Sequence, residues 1–251
     1  MNDLLWCIDY LKKYNNIVDD FIIDFSTFRA LMNITMPYDL SDEYYLRQDK
    51  VLKDFYSKKI IVNSFNLKYT NQISIYKGDI TLLSCDAIVN ACNEKLLGCF
   101  HPLHNCIDNA IHSFAGLQVR RDLIQVMSKQ NHDEENGLCK VTSGYNLPSK
   151  YIFHTVGPRI DFNITYKDRK DLRNCYVSCL NKAMEMNLKS IAFPCISTGI
   201  YGFDKREACD IAFDVVSSFV KENKLLNVIF VLFKEEDLLL YKRKLGMLYD
   251  N

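Results

Sequence analysis

The sequence predicts an α/β fold of three layers, a central sheet with helices on both faces, preceded by a helical extension. Three observations predict it. From residue 72 onward, short apolar strand patterns alternate with amphipathic helical patterns over about 170 residues, as in a layered α/β domain. The strand segments "DAIVNAC" and "NVIFVLF" are apolar without alternation, as strands buried on both faces are. Residues 1–70 show helical periodicity instead, with Gly and Pro scarce.

Each element follows from its local pattern. In the extension, "DDFIIDFSTFRALMN" and "DEYYLRQDKVLKDFY" carry apolar residues at helical spacing. They are joined by "ITMPYDLS", where Pro37 breaks the first helix and Ser41 or Asp42 caps the second. The second unit, residues 71–251, opens with the strand "ISIYKGDIT" and the buried strand "DAIVNAC". A single helix, "NCIDNAIHSFAGLQVRRDLIQVM", places Ile107, Ile111, Phe114 and Leu117 or Gln118 along one side. The strands "CKVTSGY" and "KYIFHTVG" follow, then a helix near 167–187, the strand "SIAFPC", a helix near 204–222, the strand "NVIFVLF" and a final helix. No internal repeat is present.

Composition excludes several classes. With 31 basic and 31 acidic residues the net charge is 31 − 31 = 0, so nothing argues for a nucleic-acid or membrane surface. A bound anion must be held by local geometry. No apolar run is long enough to span a bilayer, and the first residues lack the cationic start and apolar stretch of an export signal. Ten cysteines in such a chain are expected as reduced thiols, in a cytoplasm.

In an α/β sheet, ligands bind outside the carboxyl ends of the strands, so the loops there carry the chemistry. "FPCISTGIYGFDKREA" runs from a strand through Ser197, Thr198, Gly199, Ile200, Tyr201 and Gly202 into a helix. Glycines and hydroxyl residues at that junction expose backbone N–H groups beside a helix N-terminus, which makes an anion cradle or an ordinary turn. In "YKGDIT", Asp79 follows a tight turn at Gly78; it is a cap or an acceptor for a purine amine. Asn90 and Asn93 end a buried strand, where an amide serves a ligand or shapes the loop.

The fourth loop, "NACNEKLLGCFHPLHNCIDNAIH", concentrates three cysteines and three histidines. Cys99, His104 and Cys106 stand in a C-x4-H-x-C arrangement. Two thiolates and an imidazole suit zinc, and three protein ligands leave a fourth position open, as catalytic sites do. His101 and Cys92 are lesser ligand candidates. The spacing alone also fits a loop without metal.

Together, "GDIT…DAIVNACN", "GYNLPSKYIFHTVGP", "AFPCISTGIYGF" and "VIFVLFKEEDLLLY" resemble the macrodomain family in order and spacing. Asp108-Asn-Ala-Ile-His112 keeps that family's aspartate and histidine, but "LLGCFHPLHNC" replaces its glycine run. The replacement, with "RALMN" at 29–33 and "QDKVL" at 48–52, resembles the zinc-containing macrodomain subfamily over nearly the whole chain. That resemblance implies a mixed central sheet flanked by helices and one zinc ion per chain, bound by Cys99, His104 and Cys106. It implies a zinc-dependent hydrolase that removes mono-ADP-ribose from protein side chains, ester-linked Asp or Glu being the expected linkage. The implied partners are ADP-ribose and a mono-ADP-ribosylated protein, with a lipoylated carrier protein as one candidate.

By position, the resemblance gives Asp79 the adenine amine with the Ile80 backbone beside it, and Asn93 the distal ribose. Loop 197–202 cradles the diphosphate, Phe203 lies against the sugar end, and Phe233 packs on the adenine. Asp108 takes a proton or orients water, with Asn93 fixing the ribose as the second catalytic residue. His112 orients the metal loop rather than ligating. The alternatives are a module that only binds ADP-ribose, and a deacetylase of O-acetyl-ADP-ribose.

Overall fold

Alternation along the central strands sets the two faces of the sheet. In the computed structural model, which describes residues 2–19 and 22–247, the helices α1 (Asp3–Tyr14), α2 (Phe25–Ile34) and α3 (Asp42–Ser57) come first. Two short strands follow, β1 (Val62–Asn63) and, after β2 (Ile73–Lys77), its parallel partner β3 (Leu83–Ser84). The rest runs β4 (Ala87–Cys92), α4 (Ile107–Ala115), α5 (Leu117–Gln130), β5 (Cys139–Ser143), β6 (Tyr151–Val156) and α6 (Tyr166–Glu185). It ends with β7 (Ser190–Phe193), α7 (Lys205–Glu222), β8 (Asn227–Leu232) and α8 (Glu235–Met247). Six strands form one sheet in the order β2-β8-β7-β4-β6-β5, parallel except for β5, which runs antiparallel to β6. The sheet is therefore mixed, with an antiparallel edge.

Ala87 and Val89 of β4, with Val228, Phe230 and Leu232 of β8, pack against α6, α7 and α8. Their neighbours Ile88, Cys92, Ile229 and Val231 point the other way, into α4 and α5. Both faces are covered, which is why these strands read as unbroken apolar runs. A third cluster, built from Cys7, Leu11, Phe28, Met32, Tyr44 and Leu52, joins the three N-terminal helices and reaches Leu117 of α5.

The extension docks through residues 48 and 49, through Arg29 and Asn33, which reach Asn109 and Ser113 of α4, and through an aromatic cluster beside them. Gln48 Oε1 accepts from the Leu117 N–H at 2.9 Å, and Asp49 Oδ1 accepts from Gln118 Nε2 and Asn146 Nδ2, both at 2.8 Å. Phe55 stacks on both Phe25 and Phe114 at centroid distances of 4.6 and 4.9 Å in a three-ring cluster, each such pair contributing about 0.5–1.5 kcal/mol beyond area burial.

Two helix boundaries differ from the sequence reading. The single helix through 105–127 breaks at Gly116, whose φ of +98° with ψ 167° is open to glycine alone. The helix expected from residue 19 starts at Phe25, because Asp24 turns back to cap it, accepting from the Thr27 N–H at 2.7 Å. Residues 20 and 21 of that stretch lie outside the described ones. Ser41 caps α3, accepting from the Tyr44 N–H. No helix among the described residues is long and apolar enough to cross a membrane, and all ten cysteines are free thiols.

Candidate active site

Strand order lines the candidate groups up along the C-terminal edge of the sheet. Asp79 follows β2, Phe233 follows β8, residues 197–203 follow β7 and Asn93 follows β4. Connections leaving β4 run outward to β6, and those leaving β7 run the opposite way to β8, so the middle of this edge is a topological switch point. Two shallow hollows lie elsewhere. One, of about 390 Å³, lies beside β5 near Asp122 and Tyr151, and the other lies between α1 and α3.

At the β2 end, the Gly78 N–H donates to the Leu232 carbonyl at 3.1 Å, which ties this turn to β8. Asp79 Oδ1 accepts from the Thr81 N–H and hydroxyl at 2.8 and 2.7 Å, capping a short 3-10 turn. Capping uses one carboxylate oxygen and leaves Oδ2 to a ligand, so cap and acceptor are compatible roles. Ile80 contributes backbone here, since its side chain is buried at 6% exposure. Phe233 stands 71% exposed, free to cover a flat ligand.

After β7 the chain folds tightly on itself. Ser197 takes φ +63° and Gly202 φ +71°, with the Phe203 N–H returning to the Ser197 carbonyl at 3.0 Å. The Ile160 N–H donates to the Tyr201 carbonyl at 2.8 Å, so the loop after β6 supports this one. The N–H groups of Thr198, Gly199, Ile200 and Tyr201 find no acceptor among the described residues, and Ile200 is 77% exposed. Those N–H groups are open to an anion. The hydroxyls turn inward instead: Thr198 Oγ1 donates to the Cys195 carbonyl, and Ser197 is buried against Gly157. Phe203 also departs from expectation. It is 2% exposed inside the core beneath α7, because an aromatic ring on the first turn before a helix is drawn onto the apolar face of the sheet. Its ring is therefore not on the surface of the loop edge.

The stretch after β4 holds Asn93 and the thiol–imidazole cluster. Asn93 shapes its own loop, with Oδ1 accepting from the Lys95 N–H at 3.0 Å and Nδ2 donating to the Gly98 carbonyl at 3.2 Å. Among the described residues, the ligand atoms of Cys99, His104 and Cys106 lie within 4.8 Å of one another, and Cys99 Sγ is 3.5 Å from His104 Nδ1. Sulfur and nitrogen donors on one tetrahedral zinc stand roughly 3.6–3.8 Å apart, so this donor set fits zinc with little closure. Burial pushes the Cys106 thiol up to about 12, with the Asn109 N–H opposing and the neighbouring Cys99 adding to the shift. A divalent cation reverses that balance by stabilising thiolate. Cys92 is turned away, its thiol on the Thr155 carbonyl inside the sheet core, and His101 lies exposed beside His104; neither joins the triad.

Asp108 opens α4 directly after the triad. It is 5% exposed, and Asn90 Nδ2 donates to its Oδ1 at 2.8 Å. Burial pushes its carboxyl up to about 6, against the Asn90 hydrogen bond and the charge of Arg120. The second Asn90 amide hydrogen faces His154 Nδ1 at 3.3 Å, and His154 Nε2 lies 2.9 Å from the Thr142 hydroxyl. Nδ1 is therefore the acceptor and Nε2 carries the proton. Burial pulls His154 down to about 3 and His112 well below its ordinary value, so both imidazoles are neutral. His112 lies under Gly98, where a Cβ would meet its ring at 2.9 Å, and its Nε2 is 3.5 Å from Asp108. It packs under the loop and is not among the three clustered donors.

Several residues around this end escaped the sequence reading. Arg120, 1% exposed, donates to the Leu97 carbonyl at 2.7 Å and to the carbonyls that end α2 at Met32, Asn33 and Thr35, while Phe100 covers its guanidinium. Its signal was position: it sits three residues from both Leu117 and Leu123, inside an apolar stripe. Asn33 and Asn109 gave no comparable signal.

The macro domain family model matches residues 89–212. A Staphylococcus aureus (strain MRSA252) protein named protein-ADP-ribose hydrolase is 45% identical over 219 residues, covering 86% of this chain and 82% of that one. A Treponema medium protein of the same name is 39% identical over 251 residues, covering 95% of this chain and 96% of that one. The solved Trypanosoma brucei macrodomain in complex with ADP-ribose aligns with a TM-score of 0.67 at 30% identity, over 87% of this chain and 95% of that one. With its strand order, its edge of ligand loops and relatives this similar over most of their length, the chain belongs to the macrodomain family.

Proposed function

We propose that the chain is a hydrolase that removes mono-ADP-ribose from modified protein side chains, using zinc held by Cys99, His104 and Cys106. The observation that carries this reading is the three-donor cluster beside Asn93 and Asp108 at one end of the ligand edge. A module that only reads ADP-ribose has no use for an open metal position. Relatives named protein-ADP-ribose hydrolase support the activity, and the related macrodomain in complex with ADP-ribose supports the ligand.

Strand order supports the following layout of the ligand. Asp79 Oδ2 and the Ile80 N–H meet the adenine edge, Phe233 covers the ring, and the N–H groups of residues 198–201 hold the diphosphate at the start of α7. This brings the distal ribose to Asn93, which fixes it. Asp108 orients the attacking water or takes its proton. Zinc, when bound, supplies Lewis-acid polarisation at the distal ribose and the scissile linkage. We assign an ester to Asp or Glu as the linkage, because a carboxylate leaves readily. Water then yields a free carboxyl group and ADP-ribose.

The test is release of ADP-ribose from a protein mono-ADP-ribosylated on acidic residues, with chelator and after zinc is restored. Turnover should stop with chelation and return with zinc. Tight binding of ADP-ribose with no release under either condition would leave a reader in place of a hydrolase.

A further inference from the structure

The loop that carries the triad has little structure of its own. Leu96, Gly98 and Leu103 take positive φ of 60°, 87° and 56°, and the internal backbone bonds are short-range, Leu96 N–H to the Asn93 carbonyl, His104 N–H to the His101 carbonyl and Cys106 N–H to the His104 carbonyl. Such a path persists only when its surroundings hold it. Much of the hold comes from two buried asparagines. Asn109 Nδ2 donates to the His101 carbonyl at 3.0 Å and lies 3.5 Å from that of Cys99, and its own N–H points at Cys106 Sγ at 3.4 Å. Asn33 Oδ1 accepts from the Leu103 N–H at 2.9 Å, on the residue before His104.

Each amide is oriented from outside the loop. Arg29 Nη2 donates to Asn109 Oδ1 at 3.1 Å; a guanidinium only donates, so the Asn109 oxygen must face it and the NH2 must face the loop. Asn33 Nδ2 donates to Ser113 Oγ at 2.9 Å, which leaves its oxygen for Leu103. Arg29 and Asn33 both belong to α2, a turn apart on one face of the N-terminal extension.

We propose that Arg29 and Asn33 of the extension are positioning residues for the metal centre, holding Cys99, His104 and Cys106 at coordination spacing through Asn109 and the Leu103 N–H. This rests on the zinc reading of the triad. It gives the extension a role beyond packing: the site is assembled across α2, the loop and α4. Residues that orient ligands in this way typically change metal affinity ten- to a hundredfold when removed.

The experiment compares the wild-type chain with Asn33→Leu, Arg29→Met and Arg29→Lys. Zinc affinity is read by competition with a chromophoric chelator, and site geometry from the visible spectrum of the cobalt(II) form. Calorimetry with ADP-ribose controls for the fold. Asn33→Leu and Arg29→Met should weaken zinc by about tenfold or more and lose the intense bands of a tetrahedral thiolate site, with ADP-ribose affinity little changed. Arg29→Lys, which still donates to Asn109, should recover the spectrum. Wild-type affinity and spectrum in Asn33→Leu and Arg29→Met would overturn the inference, as would loss of ADP-ribose binding in step with zinc. A wild-type chain that takes up neither ion would overturn the zinc reading itself and the inference with it.

Discussion

Asn90, in the middle of the sheet, donates to Asp108 at the start of α4 over 2.8 Å, so strand and helix together fix one buried carboxylate below the triad. If Asp108 acts on the attacking water, its aim depends on that amide. Asn90→Leu should lower kcat by about a hundredfold, the scale expected when a catalytic group is misplaced by an ångström. Losing the bond should also cost about 1–3 kcal/mol of stability. Full turnover in a folded Asn90→Leu chain would remove Asp108 from the chemistry.

Asp79 permits a finer test of the adenine end. Its Oδ1 caps the turn at Thr81, a task asparagine also performs, while in the proposed function its charge serves the ligand. Asp79→Asn should fold normally yet bind ADP-ribose about tenfold or more weakly, as a charged hydrogen bond contributes about 1.5–3 kcal/mol. Calorimetry decides it; unchanged affinity would move the adenine elsewhere.

Gly116 separates α4 from α5 at φ +98°, and a Cβ there would lie 2.5 Å from Gln48 Nε2 and 2.6 Å from Gln118 Oε1. Gly116→Ala should lower stability by about 1–3 kcal/mol in urea titrations. An alanine variant as stable as the wild type would mean an unbroken helix.

His154 gives a pH dependence with a definite sign. Its folded-state value falls from 6.5 to about 3. The unfolded chain takes up this proton first, so stability falls as pH drops from 6.5 toward 3, by about 1.4 kcal/mol per pH unit for one proton. His154→Gln should unfold with a pH slope shallower by one proton in that window. Parallel slopes would mean that His154 is protonated in the folded chain.

Much of this was legible in the sequence for physical reasons. Strands buried on both faces leave unbroken apolar runs, as in "NVIFVLF", and thiols with imidazole crowd visibly at 99–106. The break at Gly116 was not legible, because a glycine inside an apolar stripe is compatible with a continuous helix until its φ is known. Phe203 and Phe233 read alike as aromatic residues beside ligand loops; only the fold shows one in the core and the other on the surface. The partnership of Arg29 with Asn109 spans 80 residues and joins two polar side chains, so no local pattern announces it.

The most direct measurement concerns the triad. Cys99→Ala, His104→Ala and Cys106→Ala should each lose the bound zinc and release of ADP-ribose from an ester-linked mono-ADP-ribosylated protein. Binding of free ADP-ribose should fall far less, because Asp79, Phe233 and residues 198–201 follow other strands. Single-turnover assays with zinc analysis on the same samples give the answer. Three zinc-free variants that still release ADP-ribose at the wild-type rate would contradict a metal-dependent hydrolase and leave the chemistry to Asn93 and Asp108.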